Sequence, residues 1–234
     1  MPAFVSLLNT FYFTESLMHK IFHQFFNQEY ESEYCTGIFS DELDKLGYKN
    51  QVTTSWKLNN SRLRFFGRVR TLTVETFETK DERIKKGLGF LGSLEPGDIL
   101  VVKGSSEFAY FGELMSRLSQ EIGLAGAVID GLTRDTYYTQ TIDFPIMGKG
   151  YSPIDIKGRG RVDQTDVLIE IDGITIKPMD YLFGDSDGLV VIPSDIMQEA
   201  LPHFNEAARE EFGIKQMIKE GKSILEILDV VKGF

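Results

Sequence analysis

Between Gly112 and Asp135 the chain reads GELMSRLSQEIGLAGAVIDGLTRD, and no other stretch restricts its fold as much. Leu114, Met115, Leu118 and Ile122 recur at helical spacing from Glu113 to about Ile122, leaving Arg117 and Gln120 toward water. Gly123 stops this helix. Ala125-Gly126-Ala127-Val128-Ile129 then presents apolar residues to both faces, as an interior strand of a helix-covered sheet must. Asp130-Gly131 supplies turn chemistry, and Thr133 is a cap for a following helix, which puts Arg134 and Asp135 near a helix N-terminus. Oriented N–H groups and the helix dipole favour anions there. An adjacent guanidinium and carboxylate can hold an anionic substrate and a divalent metal side by side. The dipeptide alone would also suit a solvated surface pair of little energetic weight.

The remaining sequence fits one α/β domain. No internal repeat, low-complexity tract or Pro/Gly/Ser linker divides it. TGIFSDELDKLG from Thr36 predicts a short helix with a cap signal at Ser40 and a stop at Gly47. Strand-like runs follow at FFGRVRTLTVETF, DILVVKGS, AGAVIDG, FPIMGKG, DVLIEIDGITIKP and GLVVIP. Alternation around Asp172-Gly173 predicts a hairpin with arms Val167 to Ile171 and Ile174 to Lys177 and one solvated face. Gly184-Asp185-Ser186-Asp187-Gly188 lacks the later ligands of a calcium loop and reads better as a tight turn feeding a buried strand. The tail from Asp195 reads as helix, broken at Gly213 and Gly221, and Ser223 to Glu226 forms a capping box for a last apolar helix. So much apolar surface on a terminal helix predicts packing on the body or on a second subunit. Residues 1–30 read as a partly helical arm and 31–234 as the domain with its C-terminal helices.

Charge and composition exclude several classes. A formal net charge of -10 disfavours a nucleic-acid backbone or an anionic membrane surface as partner. The basic run Arg62, Arg64, Arg68 and Arg70 has the spacing of an amphipathic strand with a wet face. The single cysteine, Cys35, forms no internal disulfide and suggests no oxidising compartment, so a cytoplasmic location is expected. The apolar N-terminus lacks a basic n-region and a cleavage site, and Asn9, Thr10, Glu15, His19 and Lys20 interrupt any spanning length. His19 and His23 lie one helical turn apart, a metal-ligand spacing with no third ligand nearby; a surface or core pair fits better.

Five segments in register resemble the RraA-like family: Pro96 to Gly104, Gly112 to Met115, Gly126 to Asp135, Phe144 to Pro153 and Gly173 to Pro193. That family includes metal-dependent 4-hydroxy-4-methyl-2-oxoglutarate (HMG) aldolases, related oxaloacetate decarboxylases and protein regulators of RNase E. The similarity runs from about Thr36 to about Gly221. It implies a β/β/α swivelling-type fold assembled as a homotrimer or homohexamer, with sites at subunit interfaces. Phosphohistidine domains of similar architecture need a histidine in a Gly-rich turn, and His19, His23 and His203 do not sit in one.

By resemblance, Asp135 is the one direct protein ligand of Mg²⁺ or Mn²⁺, completed by water and a 2-oxo acid substrate. Arg134 would stabilise the enolate, and backbone amides of Tyr110, Phe111, Gly112 and Glu113 would hold the substrate carboxylate. Glu113 would act as the acid for proton transfer, and Glu211, next to Glu210, would reach a neighbouring subunit's site. Lys103, the aromatic Phe108, Tyr110 and Phe111, and Tyr137-Tyr138 depart from the family pattern and imply a bulkier pocket. Arg134, Asp135 and Glu113 together favour an enzyme over a non-catalytic regulator that binds a ribonuclease or another protein. Other metal-enolate chemistry, such as dehydration of a sugar acid, stays open.

Overall fold

The structure, a computed structural model, describes residues 22–48, 52–53, 56–77 and 84–230. A 3-10 helix (Gln28–Glu33) leads to α1 (Thr36–Lys45), the short β1 (Val52–Thr53) and β2 (Lys57–Leu58), and the long β3 (Phe65–Thr76). Next come α2 (Ile84–Leu91), β4 (Asp98–Lys103), β5 (Ala109–Phe111), α3 (Glu113–Ile122), β6 (Gly126–Thr133) and α4 (Thr136–Thr139). The chain continues through β7 (Ile146–Tyr151), β8 (Gly160–Thr165), β9 (Ile169–Ile171), β10 (Ile174–Ile176), β11 (Tyr181–Asp185) and β12 (Gly188–Ile192). Helices α5 (Met197–Lys219) and α6 (Ile224–Leu228) close it.

One mixed sheet has the order β1-β12-β11-β3-β4-β6-β7-β2, with β5 added on β6 and β8 on β3. The β3-β4-β6-β7 block is parallel, and the strands flanking it are antiparallel. β1 and β2 occupy opposite ends of this order, yet Thr53 and Lys57 are so near in sequence that at most about 14 Å of chain separates them. The sheet must therefore curl until its two edges nearly meet.

Alternation along the strands sorts the apolar residues into two layers. Ile99, Val101, Val128 and Val69 point to an inner core that also takes Trp56, Leu182 and Val191. Leu100, Val102, Ala127 and Ile129 point outward to a layer shared with Phe90, Leu91 and Leu124. The β9-β10 hairpin adds Ile169, Ile171, Ile174 and Ile176 to the inner core and leaves Glu170 and Thr175 in water. Its turn uses Asp172 and Gly173, both at positive φ. A third cluster joins α5 to the N-terminal aromatics: Phe26, Tyr34 and Phe39 are buried with Phe183, Phe204 and Ala208.

Several local expectations need correction. Helix α1 starts at Thr36, with Ser40 inside it; the cap comes from Asp185, whose carboxylate accepts the Thr36 N–H and Oγ1–H at 2.8 Å each. The acid-rich turn between β11 and β12 is thus the tight turn expected of it, and also a remote helix cap. Asp130-Gly131 is a kink inside β6 rather than its end: Gly131, at φ 158°, packs against the backbone of Ser105, and a Cβ there would lie 2.7 Å from the Ser105 nitrogen. Gly213 leaves α5 unbroken, because no backbone distortion or close neighbour is required there, whereas Gly221 does stop the chain at positive φ. Arg68 and Arg70 do not face bulk water alone; both reach the buried Asp98, and Glu95 and Asp166 complete the group. Hydrogen bonds to Asp98 and Glu95 hold the Arg68 guanidinium even more firmly protonated than usual.

Phe22, Phe25 and Phe26 of the N-terminal arm pack on Tyr34, Phe66 and Tyr181. His23 hydrogen-bonds Glu31 and Gln28. His19 lies outside the described residues. The capping box at Ser223 and Glu226 forms with both of its hydrogen bonds. No helix among the described residues is long and apolar enough to cross a membrane.

Candidate active site

β6 ends at Thr133, beyond the kink at Gly131, and delivers Arg134 and Asp135 at the carboxyl end of the parallel block. Binding sites of open α/β sheets form at such strand ends, where loops and helix N-termini converge. Thr133 is the last strand residue and not a helix cap; Asp135 takes that position at the head of α4, although its side chain caps nothing in α4. Its backbone is left-handed, at φ 60° and ψ 41°, a conformation Asp tolerates better than most residues. This turn sends the carboxylate sideways to α3, where Oδ2 accepts the Glu113 N–H at 2.9 Å. A carboxylate on the first amide of a helix also gains from the helix dipole.

Gly112 makes the contact possible. A Cβ there would run into Asp135 Oδ2 and would lie 2.8 Å from Arg134 Cγ. The Arg134 N–H bonds the Phe111 carbonyl at 2.9 Å, so β5 and the Arg134-Asp135 link are fastened on both sides of Gly112.

Glu113 is also oriented. Arg117 Nε and Nη2 both contact its Oε1, at 2.9 and 2.8 Å, leaving Oε2 for a proton or a water. The Arg117 guanidinium in turn lies 4.2 Å from the ring centroid of Tyr138. Arg117 is exposed, as expected, but the apolar stripe is not where the spacing puts it. Ser116 and Ser119 are the buried residues of α3, Met115 and Ile122 are partly buried, and Leu114 stands 73% exposed with Leu118 exposed beside it. Ser116 Oγ donates to the Gly112 carbonyl at 2.8 Å, a bond within the helix that satisfies this hydroxyl where it is buried.

The aromatic segment before Gly112 does not line a pocket with its rings. Phe108 and Phe111 are fully buried, and Phe111 stacks on Phe144. Tyr110 is largely enclosed near Gly87, and burial pushes its phenol above the usual range, so it stays protonated. Only the backbone of this segment can meet a ligand. Of its expected amide donors, that of Glu113 is already taken by Asp135. Helix geometry leaves the next amides of the α3 first turn, those of Leu114 and Met115, without intrahelical acceptors. Tyr137 is 97% exposed, and Lys103 reaches away to the Glu170 carbonyl of the β9-β10 hairpin.

One expected participant lies apart from the group, and one residue not expected belongs to it. Glu211 lies on α5, where it pairs with Lys215, and α5 packs on α1 and the 3-10 helix; among the described residues no ion pair or hydrogen bond joins it to Arg134 or Asp135. Asp155, unremarked in the sequence, does belong to the group: its Oδ2 is 3.1 Å from Arg134 Nη1. The only sequence signal was an acid shortly after Pro153 in the FPIMGKGYSP stretch, which says nothing about its partner.

The residues fit a hard divalent cation held mainly by water. No group of three or more His, Cys, Asp or Glu occurs among the described residues, so a cage made only of side chains is not available to Mg²⁺ or Mn²⁺. Asp135 keeps Oδ1 outside the contact with Glu113. One oxygen ligand plus waters suits a cation that dehydrates reluctantly.

The profile of the RraA-like family, described as Aldolase/RraA, matches residues 36–191. A protein of Alkalilimnicola ehrlichii, provisionally named a 4-hydroxy-4-methyl-2-oxoglutarate aldolase, is 32% identical over 167 residues, covering 70% of this chain and 96% of its own. The 4-hydroxy-4-methyl-2-oxoglutarate aldolase of Thermus thermophilus is 32% identical over 140 residues, 59% of this chain and 81% of its own. Among solved structures, RraAS2 of Streptomyces coelicolor, described as an unusual member of the RNase ES inhibitor RraA protein family, superposes with a TM-score of 0.66. It is 26% identical, over 80% of this chain and 96% of its own. With the matched profile running from α1 into β12 of the nearly closed sheet, the chain belongs to the RraA-like family.

Proposed function

We propose that the protein is a divalent-metal-dependent lyase that cleaves a 4-hydroxy-2-oxo acid of the HMG type and releases pyruvate. The same site would decarboxylate oxaloacetate. The observation that carries this reading is the seating of the Asp135 carboxylate on the first amide of α3, beside Glu113 and Arg134. That arrangement sets an acceptor for a hard cation, a fixed positive charge and a proton carrier next to one another.

Asp135 would hold Mg²⁺ or Mn²⁺ through Oδ1, with water and substrate oxygens filling the remaining positions. When bound, the metal supplies Lewis-acid polarisation of the keto oxygen. Arg134 places its guanidinium where negative charge collects as the C3-C4 bond breaks, and donors fixed beforehand stabilise that charge without reorganising. The C4 hydroxyl loses its proton, its oxygen becomes the new carbonyl, and the bonding pair passes to C3 and the C2 oxygen. Protonation at C3 then gives pyruvate. Glu113, steadied by Arg117, would carry the proton through Oε2. Loss of CO₂ from oxaloacetate leaves the same charge in the same place, so it needs no other residues.

The free amides of the α3 first turn are the donors available to the substrate carboxylate. We infer a homotrimer or homohexamer in which Glu211 of an adjoining copy approaches this group, because its own chain keeps it elsewhere. A second reading is a non-catalytic regulator; the match to an RNase ES inhibitor family member supports it. The exposed, unblocked Asp135 and Glu113 speak for the enzyme.

The deciding experiment is pyruvate release from oxaloacetate and HMG after chelation, then with Mg²⁺ or Mn²⁺ restored. Asp135→Asn should lose metal-dependent release while keeping the left-handed turn. Asp135→Ala should lose release and also about 1–2 kcal/mol of stability, from the turn and the lost N–H bond. Full activity in Asp135→Asn would refute the site; absence of both turnover and metal binding in the wild type would turn the reading to the regulator.

A further inference from the structure

We propose that Asp155 is a positioning residue that fixes the Arg134 guanidinium for the reaction; the activity part of this proposal rests on the lyase reading above. Arg134 follows directly on a strand, but its side chain is only partly enclosed, with about a third of it open to solvent. Left alone, such a side chain would sample several rotamers. Two carboxylates approach it. Both are ion pairs: Asp135 Oδ2 is 3.5 Å from Nε, and Asp155 Oδ2 is closer, 3.1 Å from Nη1. The firmer hold comes from Asp155.

Asp155 is itself held through its side chain and its backbone. Its Oδ1 accepts the Lys157 N–H at 3.3 Å, so the carboxylate is fixed in rotation as well as in position. Its backbone is clamped to β5: the Ala109 N–H donates to the Ile154 carbonyl at 2.7 Å, and the Ile156 N–H donates to the Ala109 carbonyl at 3.3 Å. Arg159 Nη1 donates to the Asp155 carbonyl at 3.2 Å. β5 runs straight into Gly112 and Glu113, so one strand carries both the backing of Arg134 and the helix end that receives Asp135. Partly exposed ion pairs add little to stability. An Asx turn, a strand clamp and an arginine on its carbonyl are more than a surface pair of that worth requires, and they make sense as orientation. With Nε and Nη1 directed to carboxylates, Nη2, which lies between them, is the donor presented to a developing oxyanion.

Asp155→Asn removes the charge and keeps the shape. It should lower kcat for oxaloacetate on the order of ten- to a hundredfold, with KM little changed, since a small misplacement of a charge-stabilising group costs that much. In an Arg134→Ala background the same change should cost nothing further, because its effect passes through Arg134. Side-chain NMR reads the positioning directly: the Arg134 Nε–Hε signal, identified by its loss in Arg134→Ala, should broaden and exchange faster with water in Asp155→Asn. An unchanged signal, or kinetic losses that multiply in the double variant, overturns the proposal. Wild type that shows the Asp155-dependent signal but releases no pyruvate would refute the lyase reading and leave the positioning role standing.

Discussion

At Gly112 a single missing methyl group decides whether the functional pair can form. A Cβ at this position would collide with the Asp135 carboxylate and come within 2.8 Å of Arg134 Cγ. Both obstacles are ends or stems of side chains that can swing aside, so Gly112→Ala should cost the fold no more than about 1–2 kcal/mol. The swing would lift Asp135 off the Glu113 amide and displace Arg134. Metal-dependent pyruvate release should therefore drop at least tenfold while the thermal midpoint moves little, a separation read by activity assay beside differential scanning calorimetry. A large loss of stability with activity per folded molecule intact would show that Gly112 serves packing instead. Arg134, Asp135 and Glu113 are legible in the sequence because strand, turn and helix signals bracket them within a short stretch. Asp155 is not, since its partner is chosen by the bridge between Ala109 and Asp155, and no local pattern encodes that pairing.

The same limit governs whole elements. α1, α3, β4, β6, the β9-β10 hairpin and the final capping box can all be read from periodicity and turn chemistry, because each depends on residues close in sequence. What cannot be read is an end fixed from afar. Ser40 looks like a cap, but Asp185 holds Thr36 through both carboxylate oxygens, and Asp187 N–H shares Oδ1. α3 departs from its local pattern in rotation: Ser116 and Ser119 are buried, although the apolar stripe would place Leu114 and Leu118 inside. Asp185→Ala should thus destabilise α1 by about 1–2 kcal/mol, the ordinary worth of a helix cap, and lower the thermal midpoint by a few degrees. Ser40→Ala should leave it within about 0.5 kcal/mol. Equal effects from the two substitutions in calorimetry would return the cap to Ser40.

Over the whole molecule, two groups of exposed apolar side chains among the described residues lie at the site and at the C-terminus. Leu114, Leu118 and Tyr137 are exposed beside Glu113 and Asp135, and Ile224, Leu225, Leu228 and Val230 are exposed on and just after α6, with Leu225 at 74%. Burying an exposed leucine or isoleucine gains about 1.5–3 kcal/mol, so a terminal helix carrying three such residues, Ile224, Leu225 and Leu228, has a strong reason to find a partner surface. The capping box shows that this helix is built to persist, and α5, which carries Glu211, leads directly into it. A homotrimer or homohexamer would account for both surfaces at once and would bring Glu211 of one copy toward the Arg134 group of another. Wild type should then elute and sediment as a trimer or hexamer. Leu225→Glu should shift it toward monomer by placing a charge in the contact, and pyruvate release should fall in proportion to the monomer formed, recovering as protein concentration rises. A wild-type monomer with full activity would remove Glu211 from the reaction and confine the chemistry to Arg134, Asp135 and Glu113 of a single chain.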